Sequence, residues 1–391
     1  MNNDNNATQK RDIESEKPPL NWVPVIMFSV TTLVSLTLVP WYGIAYGYET
    51  SAWVACVVIT WMTGMAITGG YHRLWSHNAY QAHWSLRIWY ALWGAMAFQN
   101  SILSWSSGHR VHHRYCDDVE LDPYSAKRGL WFSHMGWMLR KYKSGEVNFD
   151  NVKNLMKDPI VMWQHKYYAP IALGMNIGVP LLLGILFDNI WGMLLLAGFL
   201  RIVVAHHITF FINSIAHKWG SQPYTDKNTA RDNAFFAFLT HGEGYHNYHH
   251  IFQNDYRNGI RWFHWDPTKW FIKACSWVGL TWDLKVVPDI KIKRAQLKMQ
   301  FQRAQEKLAN AQSKDPAKLE QWAAMLEKEY DEFKVMLNEW TELQTVKYAE
   351  TKRSLAEKWE KAALRTRYKE LEYSLKMQQQ RLKLMTAQFA S

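Results

Sequence analysis

Cysteine is scarce in this chain: Cys56, Cys116 and Cys275 are its only three. Their spacing builds neither a disulfide framework nor a thiolate metal site. Any metal must therefore be held by histidine, with carboxylate or water in support. The first twenty residues lack an apolar core, which argues against a secretory signal peptide and predicts a disordered polar tail over 1–20. Lysine and arginine are missing from two short stretches, Gly47–Ser51 and Asp188–Asn189. Each of these links two long runs that carry almost no charge.

What is present fills in the rest. The chain has 391 residues, enough for one large domain or two ordinary ones. It is 48% hydrophobic, holds 22 tryptophans and carries a net charge of +11. The positive charge lies in segments that flank apolar runs, a pattern of membrane orientation and not of nucleic-acid binding. The apolar runs cover about 23–46, 52–70, 169–187 and 190–213, each close to the roughly 20 residues that span a bilayer as a helix. The low mean hydropathy of −0.31 follows from dilution by a polar C-terminal tail. By the positive-inside rule, both termini and the basic segment between the second and third runs are cytoplasmic. Leu86–Trp105 is a fifth apolar segment, expected to lie in the cytoplasmic interface. Arg201, inside the fourth run, is expected to face the bundle interior. His206 and His207, deeper on that helix, are read as packed or hydrogen-bonded rather than as ligands.

Residues 291–391 change character. Apolar residues recur in gaps of three and four at Leu297, Phe301, Ala304, Leu308 and Ala311, then at Leu319, Trp322, Leu326, Tyr330, Phe333, Leu337 and Trp340, and again, with one gap of seven, at Leu364, Tyr368, Leu371, Leu375, Leu382, Met385 and Phe389. This heptad-like spacing predicts long helices in a coiled-coil-like tail, interrupted at Asp315-Pro316, that mediates self-association.

The chemistry-bearing residues are histidines. His109-x-x-His112-His113 and His246-x-x-His249-His250 repeat one spacing, which places three imidazoles on one helix face. His72 and His77 form a third cluster, separated by four residues. Four crossings put all three clusters on the same side of the membrane. Eight imidazoles exceed what one metal needs, so two metals with open positions fit better. His217 is a ninth candidate, and Asn213, one turn earlier, is placed to hold a metal-bound water. Zinc has no redox chemistry. An all-histidine pair of redox metals at a membrane surface points to iron, dioxygen and an apolar substrate. Asp117, Asp118, Glu120, Asp122 and Glu243 are candidates to steady imidazole N–H groups, each weighed against a solvated loop charge.

HRLWSH at 72–77, HRVHH at 109–113, NSIAH at 213–217 and GEGYHNYHH at 242–250 closely resemble the membrane fatty acyl desaturases, of the stearoyl-CoA (delta-9) type. MAFQN at 96–100, DPYSAKRG at 122–129 and FSHMGW at 132–137 extend the resemblance, which covers about 20–290. It implies an all-α fold: a four-helix transmembrane bundle over 21–290 with a cytoplasmic cap that holds two irons. It implies O2-dependent formation of a cis double bond in a saturated acyl chain, carried by CoA or another acyl carrier. The nine family ligands fall on His72, His77, His109, His112, His113, His217, His246, His249 and His250, with the water-holding asparagine on Asn213. Similarity also implies that Gln99, Trp105 and Thr209 shape the bend of an acyl tunnel ending near Thr60 and Gly64. Ser107-Gly108 stands where animal relatives have an Arg-Asp pair against the CoA headgroup, which leaves Lys127 and Arg128 to meet the phosphates. Phe210 stands in place of a tryptophan. The tail carries no haem-type histidine motif, so a separate electron donor is implied, a ferredoxin or a cytochrome b type protein with its reductase. Two other readings stay open: a hydroxylase or other monooxygenase on the same scaffold, and a non-catalytic metal-stabilised membrane scaffold.

Overall fold

The computed structural model describes residues 18–310, 316–352 and 358–388. Among the described residues the chain is all-α apart from one antiparallel two-residue pairing, Gln81–Ala82 with Thr281–Trp282, and three isolated bridges. Most of the N-terminal segment expected to be a disordered tail lies outside the described residues, as do Ala311, Asp315 and Phe389.

Two compact units are present. The first comprises residues up to 221 together with 228–286. Among the described residues, four of its helices are long and apolar enough to cross a membrane: α1 (Trp22–Ala45), α2 (Thr50–Ser76), then Tyr168–Leu186 and Ile190–His217. The second and fourth are the more buried, and they carry the inner packing of Cys56, Met193 and Leu196. Large apolar side chains such as Leu36, Ile44, Val57 and Leu186 point outward, as lipid-facing residues do.

The fifth apolar segment differs from expectation. It is not one interfacial helix but a helical hairpin, α3 (Trp84–Met96) and α4 (Ile102–Tyr115). The chain reverses between them through Phe98 and Asn100, both at left-handed φ of 53° and 78°. Ser101 then caps α4 by accepting from the Ser104 N–H. The tip of the hairpin is pinned from the fourth span. Arg201 donates to the Met96 carbonyl at 2.9 Å and to Asn176, and the His206 Nε2–H donates to the Ala97 carbonyl at 2.9 Å. Arg201 is fully buried, and each of its three nitrogens donates to an oxygen, Nε to the Ala197 carbonyl, Nη1 to Met96 and Nη2 to Asn176. His207 pairs with His134 at 3.0 Å and joins no other histidine cluster.

The third and fourth spans are α7 (Tyr168–Leu186) and α8 (Ile190–His217), and α5 (Leu130–His134), α6 (Pro159–Lys166), α9 (Ala234–Leu239), α10 (His246–Ile251) and α11 (Pro267–Trp277) are shorter helices of this unit.

The second unit comprises 222–227 and 287–391. It contains three helices, α12 (Asp289–Ala309), α13 (Pro316–Lys352) and α14 (Lys358–Gln388). Leu297, Phe301, Ala304, Leu326, Phe333, Trp340, Leu371, Leu375, Leu382 and Met385 form one buried core, so each helix contributes the stripe its three-and-four spacing lays out.

Candidate metal centre

Three local structures bring the imidazoles together. On α4, His109, His112 and His113 occupy one face at ordinary helical spacing, and α10 does the same with His246, His249 and His250. The pair His72 and His77 needs something else. On an α-helix, residues five apart point about 140° away from each other. The last eleven residues of α2, Ala66–Ser76, are wound as a π-helix, and the His77 N–H bonds the His72 carbonyl five residues back at 3.1 Å. That wider turn sets the two rings edge to face, 4.8 Å apart.

The nine rings form two groups: His72, His77, His109, His113 and His249, and His112, His217, His246 and His250. Within each group the rings meet through Nε2. The Nε2–Nε2 distances are 2.9 Å for His72–His249, 2.8 Å for His77–His109 and 3.0 Å for His113–His249. In the second group they are 3.0 Å for His217–His246, 3.1 Å for His246–His250 and 3.3 Å for His112–His250. Burial pushes His77, His109, His113, His249 and His250 well below the ordinary imidazole range, and neighbouring rings add to the effect. His246 is pushed down to about 3, again chiefly by burial. Neutral rings facing each other through lone pairs repel unless a cation lies between them. Two nitrogens at about 2.1 Å from one ion, at right angles, are about 3.0 Å apart. The spacing and the neutral donors fit a metal in each group.

Four of the rings have a polar group behind them, at Nδ1. Glu243 Oε2 lies 3.0 Å from His72 Nδ1, and Asp122 Oδ1 lies 2.9 Å from His112 Nδ1. Burial alone would raise the Glu243 carboxyl, but hydrogen bonding and electrostatic attraction from His72 and Arg73 beside it hold it down at about 2. His217 Nδ1 meets the Thr229 hydroxyl at 2.9 Å. His109 Nδ1 meets Tyr124 Oη at 3.3 Å.

Of the other expected acids, Asp117 is buried near this site, while Asp118 and Glu120 are exposed loop residues. Asn213 is half-buried, one turn before His217. Gln99, Trp105 and Thr209 meet in one chain: Trp105 Nε1–H donates to Gln99 Oε1 at 3.3 Å, and Gln99 Nε2–H donates to Thr209 Oγ1 at 2.9 Å. Trp105 also stacks on His109 at 4.8 Å. Phe210 packs edge-on against Phe28 at 5.6 Å. Thr60 bonds back to the Cys56 carbonyl at 2.7 Å. Gly64 lies under the ring of His241, where an added methyl would stand 2.5 Å from Cε1. Lys127 is exposed. Arg128 lies over the rings of Phe132 and Tyr142, at 3.6 and 4.5 Å. Sequence reasoning missed Thr229, Tyr124 and Arg73. Arg73 is the buried partner of both Glu243 and Asp266, at 2.9 and 3.0 Å.

Four membrane-capable helices and two groups of histidines able to hold metal define the class of this protein. The fatty acid desaturase family model matches residues 49–282, and the chain belongs to that family. It is similar to a probable acyl-CoA desaturase of Schizosaccharomyces pombe, 42% identical over 277 residues, covering 70% of this chain and 57% of that one. It is also similar to acyl-CoA desaturase 1 of Saccharomyces cerevisiae, 40% identical over 294 residues, covering 74% of this chain and 56% of that one. An acyl-CoA Delta-9 desaturase of Acheta domesticus is 35% identical over 298 residues, covering 73% of this chain and 80% of that one. The match thus spans little more than half the length of the two yeast relatives.

Proposed function

We propose that this chain is a di-iron, oxygen-dependent acyl-CoA desaturase that introduces a cis double bond at the ninth carbon of a saturated acyl chain. The observation that carries the reading is the sorting of nine imidazoles into a group of five and a group of four, each converging through Nε2. Iron supplies the redox chemistry toward dioxygen that removal of hydrogen from an unactivated carbon requires. In balance, the acyl chain gives up two hydrogens, dioxygen takes these with two electrons and two protons, and two waters form.

The chain's own residues hold, orient and exclude. Asp122 fixes the Nδ1–H tautomer of His112, and the Glu243 carboxylate lies beside His72 Nδ1, an arrangement that leaves each Nε2 lone pair free for metal. Trp105, stacked on His109 and bonded through Gln99 to Thr209, walls the site with a rigid aromatic plane beside which an acyl chain bends. Asn213 holds a water toward the group of four. Lys127, exposed, meets the phosphates of the carrier. Arg128, stacked on two rings, acts there mainly by shaping the loop.

Both termini and the metal centre lie on the cytoplasmic side. The links after the first and third spans carry no lysine or arginine, whereas the segments on the other side are basic. A separate ferredoxin or cytochrome b type protein delivers the electrons. Residues 291–391 form a helical domain of their own and serve self-association. The deciding experiment is expression in a host that lacks its own desaturase, followed by mass spectrometry of its fatty acids. A new species two hydrogens lighter, with its double bond at carbon nine, is the expected product. A gain of oxygen would instead establish a hydroxylase. No new species from a folded, iron-loaded protein would overturn the reading.

A further inference from the structure

His217 belongs to the group of four, and its back nitrogen is not held by a carboxylate directly. Its Nδ1 lies 2.9 Å from Thr229 Oγ1. The threonine hydroxyl in turn donates to Asp117 Oδ1 at 2.6 Å, and the Thr229 N–H donates to Asp117 Oδ2 at 2.6 Å. A hydroxyl has one hydrogen, and this one is committed to the carboxylate. Nδ1 of His217 must then be the donor, and Nε2 must carry the lone pair that faces His246 at 3.0 Å. Proton counting alone assigns the tautomer that a metal needs.

The geometry points to Thr229 and Asp117 as a positioning pair that secures His217 for metal, through a hydroxyl relay that takes the place of a direct carboxylate. Asp117 is suited to this by its backbone. It follows the end of α4 at a left-handed φ of 71°, uncommon for a residue other than glycine. That turn is stabilised where the Asp117 N–H donates to Asp122 Oδ2 at 3.0 Å. Asp122 itself holds His112. One short loop thus serves two of the four ligands, His112 directly and His217 across a threonine 112 residues further along. Both oxygens of Asp117 accept from Thr229, so the carboxylate serves as the acceptor for the relay.

This inference rests on the proposed metal loading, and the test separates the two. The full-length chain, purified in detergent, is assayed for iron per chain and for the rate at which a chelator removes it. Thr229→Val keeps the side chain's shape and deletes the hydroxyl. One of the two irons is expected to leave 10- to 100-fold faster, while the other is released as before. Thr229→Ser restores the parent behaviour. Asp117→Asn has one side-chain acceptor for two Thr229 donors, so it moves in the same direction as Thr229→Val and serves where the valine variant fails to fold. Thermal unfolding of the metal-free variants checks folding. Parent-like release from Thr229→Val would overturn the relay. So would a Thr229→Ser as defective as the valine variant. Loss of iron from Asp117→Asn but not from Thr229→Val would make Asp117 a direct ligand and overturn it as well. A parent chain that binds no iron would instead fail the proposed function, and the same release assay with Co2+ would still judge the relay.

Discussion

Glu243 faces several buried partners at once: His72 Nδ1 at 3.0 Å, Arg73 Nη2 at 2.9 Å and the Asn258 amide at 2.7 Å. Replacing it by glutamine leaves Arg73 with half its countercharge and His72 without an anionic partner. Glu243→Gln is expected to cost about 3 kcal/mol of stability and to lower metal content in the group of five. Unfolding of the purified chain, with elemental analysis, checks both. Gly64 makes a sharper case. Its missing side chain is the space that the ring of His241 fills, and His241 sits at a left-handed φ of 56° with the Trp61 ring 4.5 Å away. Gly64→Ala should cost about 1–3 kcal/mol by overpacking, and most of that cost should vanish in a His241→Ala background. A double-mutant cycle reads the coupling directly. At this scale the ligand types were legible because three-and-four spacing is a helix-face signature. Asp122 and Glu243 were legible as acids near the clusters. Thr229 was not, because a hydroxyl in a loop has no periodicity and its role depends on a residue brought in from another element.

The helices that carry the ligands are read best through their protons. α4 and α10 bury rings whose folded pKa lies well below the unfolded value of 6.5, and His246 falls to about 3. The unfolded chain protonates these rings near pH 6.5 and the folded chain does not, so unfolding takes up protons. Stability of the metal-free protein is therefore full above pH 6.5 and drains as pH falls below it. Each ring contributes up to about 1.4 kcal/mol per pH unit. Thermal unfolding of the metal-free chain should be flat between pH 7 and 8 and should drop steeply between pH 6.5 and 5. A flat profile across both windows would mean that the rings are not buried neutral. The α2 helix teaches a different lesson. Its apolar run reads as one regular span, yet its last eleven residues are π-wound. The four-residue gap between His72 and His77 is the only trace of this in the sequence, and it becomes intelligible once a five-residue hydrogen bond is seen to close it. The hairpin of α3 and α4 was hidden for the opposite reason. Its apolar content continues through the turn at Phe98 and Asn100, and the reversal rests on backbone angles that no hydrophobic pattern encodes.

On the scale of the molecule, four apolar helices and a polar helical tail follow from composition alone. Leu297, Phe301, Leu326, Phe333, Leu371 and Leu375, which recur in the tail's apolar pattern, are among the residues of its buried core. Tertiary contacts decide what pattern reading does not: which imidazole joins which group. His112 and His113 are neighbours on one helix and belong to different groups, as do His249 and His250. That division is what makes two centres out of one cluster, and it can be seen without any assay of turnover. Anomalous scattering recorded at the iron edge from crystals of the purified protein should show two peaks, one among His72, His77, His109, His113 and His249 and one among His112, His217, His246 and His250. A single peak, or peaks that appear at the zinc edge and not at the iron edge, would contradict a pair of irons held by nine imidazoles.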